Sequence, residues 1–160
     1  MRNQEKGFSL IELLIVVAII LTIVAIAVPN FIRARLAANE ASAVGSIRSI
    51  NTSAATYSVY YPAQNFPPTL AALGSGGVTP CTPTVTSACL LDDVLASGIK
   101  SGYTFVWTGD GNTPSVSYKI TATPIGVGST GQRMFCSDQT SVIYFDPSGS
   151  GCTNASTPLQ

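Results

Sequence analysis

The sequence predicts an α+β protein in which a long N-terminal helix precedes a small antiparallel sheet. Two observations carry this prediction. The first is an apolar run over residues 8–28, followed by apolar residues at helical spacing as far as residue 61. The second is a series of short segments beyond residue 100 that alternate apolar and polar side chains between glycine-rich turns. We therefore expect a helical spine whose second half is covered by about four antiparallel strands.

The composition restricts the function before any motif is considered. The chain has 160 residues, enough for one domain and an anchor, and its 8 lysines and arginines balance its 8 aspartates and glutamates. A formal charge of zero offers no basic surplus for a nucleic-acid partner. The charged fraction of 10% lies well below the ~25% of ordinary soluble domains. Such a polar but uncharged surface is common outside the cytoplasm.

The first half of the predicted helix is long enough to cross a membrane. Residues 8–28 extend about 31 Å at ~1.5 Å per residue, and beyond Glu12 their only polar side chain is Thr22. Arg2 and Lys6 precede the run, which by the positive-inside rule keeps the N-terminus in the cytoplasm. A conventional cleaved secretory signal is the alternative, although its apolar core is shorter. Glu12 is the exceptional residue, because a charge in hydrocarbon costs at least ~2.5 kcal/mol and marks a candidate functional site.

The helix is expected to continue through Pro29 with a bend, because helical periodicity resumes beyond it. Residues 30–61 form the amphipathic half, and Pro62 is a natural stop. Polar residues, Glu40 and Asn51 among them, are expected to lie mainly off the apolar stripe. The stripe that should face the sheet comprises Leu36, Ala43, Ile47, Ile50, Ala54, Tyr57 and Tyr61.

The four cysteines all lie in the second half of the chain and indicate an oxidising compartment. Their even number suits two disulfides, and the sequence favours a small ring between Cys81 and Cys89 without proving it. The other two are Cys136 and Cys152. The chain has no histidine and no C-x-x-C spacing, so a zinc site or a thioredoxin-like redox centre is a poor alternative.

The sequence GFSLIE at residues 7–12 is the most specific motif in the chain. Basic residues precede it, and an unbroken apolar run and Pro29 follow it. Together these features resemble the N-terminal signature of type IV pilins and of the related type II secretion pseudopilins. The resemblance covers about a third of the chain.

The resemblance implies that a prepilin peptidase cuts between Gly7 and Phe8 and methylates the new Phe8 amine. Residues 1–7 are then a leader, and residues 8–29 are the membrane-spanning half of the helix and later the filament core. The resemblance also implies that the Glu12 carboxylate meets the Phe8 amine of an adjacent subunit and sets the axial stagger. The alternative is that Glu12 only pairs within its own chain or stays protonated. A Cys136–Cys152 pair would bound a C-terminal loop similar to that of many pilins.

Residues 62–160 are predicted to form a globular head. A short helical turn ends at Gly74, a loop covers residues 75–87, and a second short helix covers residues 90–96. A hairpin turn is expected at residues 109–112. The predicted strands are residues 103–108, 116–123, 133–137 and 142–145.

No group of residues in the head predicts catalysis, a cofactor or a metal site. Asp92 and Asp93 are adjacent, so on a helix their carboxylates point in different directions. Residues 110–112 lack the spaced ligand series of a calcium loop and are expected to form a turn. A calcium site that includes Asp138 and Asp146, of the kind that some pseudopilins have, is a minor alternative. Without histidine or a paired carboxylate, the chain offers no nucleophile with its base.

We therefore expect a structural subunit of a type IV pilus-like filament, a homo-oligomer that assembles through its N-terminal helix. The expected partners are the prepilin peptidase, an inner-membrane assembly platform and, before assembly, membrane lipid. The alternatives are a type II secretion pseudopilin in a periplasmic pseudopilus and a minor pilin in adhesion or DNA uptake. A membrane-anchored enzyme is a third class, which the missing catalytic groups disfavour, and no nucleic-acid partner is expected.

Overall fold

The computed structural model describes residues 8–159, so the leader, Gly7 included, lies outside the described residues. The chain divides into two compact units, Met1–Arg35 and Leu36–Gln160. Helix α1, Leu10–Tyr60, belongs to both and contains Pro29 without ending there, as predicted. Its ends lie within two residues of the predicted bounds.

The first unit, as far as it is described, consists of the N-terminal part of α1. Every described side chain up to Arg35 is exposed. The polar side chains inside this segment bond to their own helix: Thr22 Oγ1 donates to the carbonyl of Ile19 at 2.8 Å. Asn30 Nδ2 donates to the carbonyl of Ile26 at 3.2 Å, next to Pro29. From residue 13 to residue 28 the exposed side chains are therefore apolar except for Thr22.

The second unit holds the C-terminal part of α1, two short helices and an antiparallel sheet. The helices are a 3₁₀ turn, Leu70–Leu73, and α2, Asp93–Ala96. The sheet has six strands in chain order, each pairing with the next. They are β1 Ile99–Lys100, β2 Tyr103–Gly109, β3 Tyr118–Pro124, β4 Met134–Asp138, β5 Ile143–Asp146 and β6 Thr157–Pro158.

The prediction of an α+β fold is confirmed, and the count of four strands is wrong. The two extra strands, β1 and β6, contain two residues each. Alternation of polar and apolar side chains cannot identify a strand this short, because two residues contain only one period. The four longer strands are the ones that the sequence predicts.

Three predicted element starts are early, and local hydrogen bonds explain each. β3 starts at Tyr118 rather than residue 116, because the backbone N–H groups preceding it bond to Asp110. β4 starts after Arg133, whose N–H bonds to Glu40. Helix α2 starts at residue 93 rather than residue 90, because the Asp92 side chain accepts from the backbone N–H of Leu95 as an N-cap.

The core lies between the C-terminal part of α1 and one face of the sheet. Most of the predicted stripe is buried there, namely Ala43, Ile47, Ile50, Ala54 and Tyr57, while Leu36 and Tyr61 are half-buried. The sheet side chains in the same core include Tyr103, Phe105, Tyr118, Ile120 and Phe135. The expectation that Glu40 and Asn51 lie off the stripe is wrong, because both are buried.

Two disulfides close the loops of the head. Cys81 and Cys89 form a small ring in the loop before α2, and Cys136 on β4 joins Cys152 near the C-terminus. The second bond holds the segment after β5 against the sheet. In a small domain such cross-links stabilise the fold mainly by restricting the unfolded chain.

Candidate functional site

The exposed apolar surface of the first unit is the most unusual surface of the described chain. The side chain of Phe8 is 86% exposed and that of Leu10 is 79% exposed, and no apolar residue as far as Ile32 is buried. A helix that is apolar on all sides is stable only in lipid or among other apolar helices. By length and composition α1 can cross a membrane. The apolar side chains of this segment therefore need to be covered by lipid or by other apolar helices.

Glu12 caps the N-terminus of α1. The backbone N–H of Ser9 donates to Glu12 Oε2 at 2.9 Å, and the Leu13 N–H donates to the Ser9 carbonyl at 3.3 Å. Serine followed three residues later by glutamate is the pattern of a capping box. The partial positive charge of the helix N-terminus also favours a carboxylate here. Glu12 thus has a partner within its own chain, which the S-x-x-E spacing could have indicated.

The carboxylate of Glu12 and the backbone of Phe8 lie at the same end of the helix. Phe8 immediately precedes Ser9, the residue whose N–H bonds to the carboxylate. In the uncut chain Phe8 carries an amide, and a cationic amine arises only if the bond to Gly7 is broken. Since a capping carboxylate uses one oxygen here, its other oxygen remains available to a second donor.

In the second unit, Glu40 connects α1 to the start of β4. Its Oε1 accepts from the backbone N–H groups of Gln132 and Arg133 at 2.9 and 3.1 Å. Its Oε2 forms an ion pair with the Arg133 guanidinium at 2.7 Å. That guanidinium also lies 5.4 Å from the ring centres of Phe135 and Phe145. Burial opposes ionisation of Glu40, but the hydrogen bonds from Gln132 and Arg133 outweigh it and lower the pKa.

Two more contacts fix the same end of the sheet to α1. Asn39 Nδ2 donates to the Thr130 carbonyl at 2.8 Å, and the Tyr103 hydroxyl donates to the Arg133 carbonyl at 2.9 Å. Burial, together with the nearby negative charge of Glu40, raises the pKa of Tyr103 to about 12. We call this group of contacts the Glu40 clamp.

A buried polar network lies further along the same helix. Asn51 Nδ2 donates to Ser137 Oγ at 2.8 Å, and the Tyr118 hydroxyl donates to Asn51 Oδ1 at 3.1 Å. Ser137 Oγ in turn donates to the Val142 carbonyl at 2.8 Å. Because each group has a partner, the network fixes the register of helix and sheet without leaving a buried polar atom unpaired.

The adjacent carboxylates Asp92 and Asp93 have separate structural roles. Asp92 caps α2 through the Leu95 N–H at 3.0 Å and pairs with Lys100 at 3.1 Å. Asp93 accepts from the Ser75 N–H at 2.8 Å. Among residues 8–159, no cluster of three or more histidine, cysteine, aspartate or glutamate side chains could hold a metal ion.

Asp110 and Asp146 each hold a turn. Hydrogen bonds from the backbone N–H groups of Val116 and Asn112 lower the pKa of Asp110 to about 2. At Asp146, the hydroxyl of Ser148 and the backbone N–H groups after it have the same effect and lower the pKa to about 2. Both carboxylates are therefore charged at neutral pH, and the hydrogen bonds of the two turns account for both lowered pKa values.

These pKa values predict an acid-labile head. The folded-state pKa values of Glu40, Asp110 and Asp146 lie below their ordinary values of 4.5, 3.8 and 3.8. A lowered pKa contributes stability that is complete above the unfolded pKa and is lost as the pH falls towards the folded one. We expect a constant melting temperature between about pH 7 and 5, and a continuous fall from about pH 4.5 to 2. Thermal unfolding of the full chain in detergent at each pH measures this.

The control for this prediction is the Asp146→Asn variant, which keeps a side-chain oxygen for the turn but cannot titrate. Its melting temperature should fall less steeply below about pH 4.5 than that of the parent chain. A head that melts at the same temperature in strong acid and at neutral pH would show that the native-state contacts of these carboxylates do not govern its stability.

The first unit is an apolar helical segment with a capping carboxylate. In the C-terminal unit an antiparallel sheet covers a helix. Together these features are a pilin-like arrangement. Comparison with known proteins agrees. Residues 2–28 match the family model described as the prokaryotic N-terminal methylation motif. The chain is 58% identical over 40 residues to the type IV wide pilus major component PilA4 of Thermus thermophilus.

These matches confirm the prediction of a pilin-type N-terminus. The match to PilA4 covers 25% of this chain and 30% of the length of that relative, in the N-terminal region of the chain. No solved structure matched the chain.

Proposed function

We propose that this chain is a structural subunit of a type IV pilus-like filament, cut after Gly7 and assembled through residues 8–29. The observation that carries the proposal is the exposed apolar surface of the first unit. This surface starts within residues 2–28, which match the N-terminal methylation motif. Before assembly, lipid covers this surface, and the subunit spans the inner membrane with its N-terminus in the cytoplasm. After assembly, the same segments of neighbouring subunits cover one another.

The proposed processing gives Glu12 its function. Cleavage places a cationic amine on Phe8, next to the residue whose N–H the carboxylate already accepts. In an apolar filament core this amine needs an anionic partner, because an unpaired buried charge is strongly destabilising. We propose that Glu12 of an adjacent subunit supplies it and so sets the axial stagger. Pro29 lies at the C-terminal end of the same assembly segment.

The partners follow from this sequence of events. A prepilin peptidase removes the leader, and an inner-membrane platform extracts the subunit from lipid into a helical homo-oligomer. The relative is named as a major component of a wide pilus, which favours a surface filament over a periplasmic pseudopilus. The head faces solvent in either case.

Electron microscopy of sheared surface filaments, combined with mass spectrometry of their subunits, tests this function. We expect long fibres whose subunit begins at methylated Phe8 and has lost residues 1–7. A chain found only as a membrane-bound monomer that retains Met1 would contradict the proposal. Processed subunits confined to short periplasmic fibres would assign the chain to the pseudopilins.

A further inference from the structure

Two arginines without a partner follow the apolar run of α1. Arg33 and Arg35 lie beyond Val28, and both side chains are exposed. Neither forms an ion pair within residues 8–159. No carboxylate lies three or four residues before or after either arginine, the spacing at which a pair within the helix forms. Both guanidinium groups are therefore available to an anion outside the chain.

The position of the two arginines along the helix matches a lipid headgroup layer. This inference rests on the proposed function, because only a membrane-spanning subunit places them there. The run from Phe8 to Val28 extends about 31 Å, close to the ~30 Å of a hydrocarbon core. Arg33 and Arg35 then lie ~7.5 and ~10.5 Å further along the helix. The headgroup layer is about 5–8 Å thick on each side of a bilayer, and helical side chains lean towards the N-terminus of their helix. Both guanidinium groups therefore reach the phosphates of the leaflet on the head side.

The residues next to the arginines have the same character of a boundary. Phe31 and Ile32 are exposed apolar side chains, and the cationic residues follow them within one turn of the helix. An arginine can pack its apolar stem beside such residues while its charged group lies in the polar layer. Arg33 and Arg35 are two residues apart, so they point about 200° apart around the helix axis. They therefore contact two different lipid molecules.

The carboxylates of a second copy are a poorer partner for these arginines. Of the six carboxylates in the second unit, five already accept hydrogen bonds on both oxygens. These five are Glu40, Asp92, Asp93, Asp110 and Asp146. Within the described chain only Asp138 keeps an oxygen without a bond. A second head therefore offers one such oxygen to two guanidinium groups that point in different directions, whereas lipid surrounds the helix.

We propose that Arg33 and Arg35 each bind the phosphate of an anionic phospholipid before the subunit assembles. A guanidinium can donate two parallel hydrogen bonds to a phosphate. Residues 13–39 contain these two cations and no acidic residue, which favours a lipid of net negative charge over a zwitterionic one. A basic residue at an anionic surface strengthens binding on the order of fivefold. Extraction of the subunit into a filament must break both contacts.

Native mass spectrometry of the full chain in an uncharged detergent tests the proposal. All chains carry Arg2→Gln and Lys6→Gln, which remove the basic side chains before the apolar run. The probes are phosphatidylglycerol and phosphatidylcholine with the same acyl chains. We expect two phosphatidylglycerol molecules per chain, each bound about fivefold more tightly than phosphatidylcholine. Arg33→Gln and Arg35→Gln should each remove one of these two tight sites, and the double variant should lose both.

Arg48→Gln is the matched control, because it removes an exposed arginine of the same helix that lies 20 residues beyond Val28, and it should bind like the parent chain. Equal binding of the two lipids would overturn the proposal, as would a preference that the double variant retains. Free glycerol 3-phosphate that binds as tightly as phosphatidylglycerol would show a phosphate site unrelated to the membrane and would overturn it too.

The same spectra detect the competing partner. Dimers that the double variant loses, in a chain without a lipid preference, would assign the arginines to a carboxylate of a second copy and overturn the proposal. A chain that forms surface filaments but shows no lipid preference would refute this inference and leave the proposed function standing.

Discussion

Replacement of Glu12 with alanine is expected to leave cleavage after Gly7 intact and to reduce the yield of sheared filaments at least tenfold. The proposed cleavage site precedes Phe8, four residues before Glu12 in the sequence, so the substitution leaves the residues on both sides of the cut bond unchanged. Assembly, by contrast, would leave the Phe8 amine of a neighbouring subunit unpaired in an apolar core. Removing one member of a buried ion pair costs ~3–5 kcal/mol, more than enough for a tenfold effect. Immunoblots of whole cells and of sheared fractions measure processing and yield separately.

The Glu12→Gln variant separates the two roles that the structure and the proposal give to this residue. Glutamine can accept the Ser9 N–H and so preserve the capping box, whose loss typically costs about 1 kcal/mol. It cannot neutralise a cationic amine. If the charge matters, Glu12→Gln should fail as Glu12→Ala does. Wild-type filament yield from the glutamine variant would mean that Glu12 acts as a helix cap and that the pairing with Phe8 is wrong.

Local sequence patterns predict the elements whose signals repeat several times along the chain. The stripe from Ala43 to Tyr57 repeats helical spacing over about four turns, and a helix covered by a sheet buries it as expected. The long strands β2 and β3 each contain several polar–apolar alternations. The edge strands β1 and β6 have two residues each, too few for a repeated alternation, and their pairing depends on the backbone of a neighbouring strand.

The sequence does not predict the burial of Glu40 and Asn51, for a different reason. Leu36 and Ala43 are separated by seven residues, two steps of the stripe, and Glu40 occupies the intermediate step. Asn51 likewise lies four residues after Ile47, on the same face. Their positions therefore indicate burial, while their polarity indicates exposure. Their burial depends on partners 67 to 93 residues away in sequence, and no local pattern identifies those partners.

An open cavity of about 410 Å³ on the outer face of the head could not be predicted for the same reason. Its lining residues are spread over four strands and the C-terminal loop, and they combine exposed residues with buried ones such as Cys136 and Ser137. Only the strand order and the Cys136–Cys152 bond bring them together. The N-terminal segment, by contrast, can be predicted from the sequence, because the residues that identify it are consecutive.

Loss of the Glu40 clamp should destabilise the head strongly. The Glu40 side chain is 11% exposed and accepts from two backbone N–H groups besides the guanidinium of Arg133. Alanine at this position would leave those donors and the cation without their acceptor. A buried donor without a partner costs ~1–3 kcal/mol. The exposed pair of Lys100 and Asp92, with side chains 35% and 51% exposed, has no comparable desolvation.

Glu40→Ala is therefore expected to reduce the free energy of unfolding by about 3 kcal/mol and the melting temperature by about 10 °C, a scale set by the size of the head. Thermal unfolding of the full chain in detergent, followed by near-ultraviolet circular dichroism of the head aromatics, measures this. Glu40→Gln, which keeps an acceptor for the backbone N–H groups, should lose about half as much. Lys100→Ala, which breaks the exposed pair, should cost less than about 1 kcal/mol. Equal melting temperatures for Glu40→Ala and Lys100→Ala would show that the clamp contributes no more than a surface ion pair.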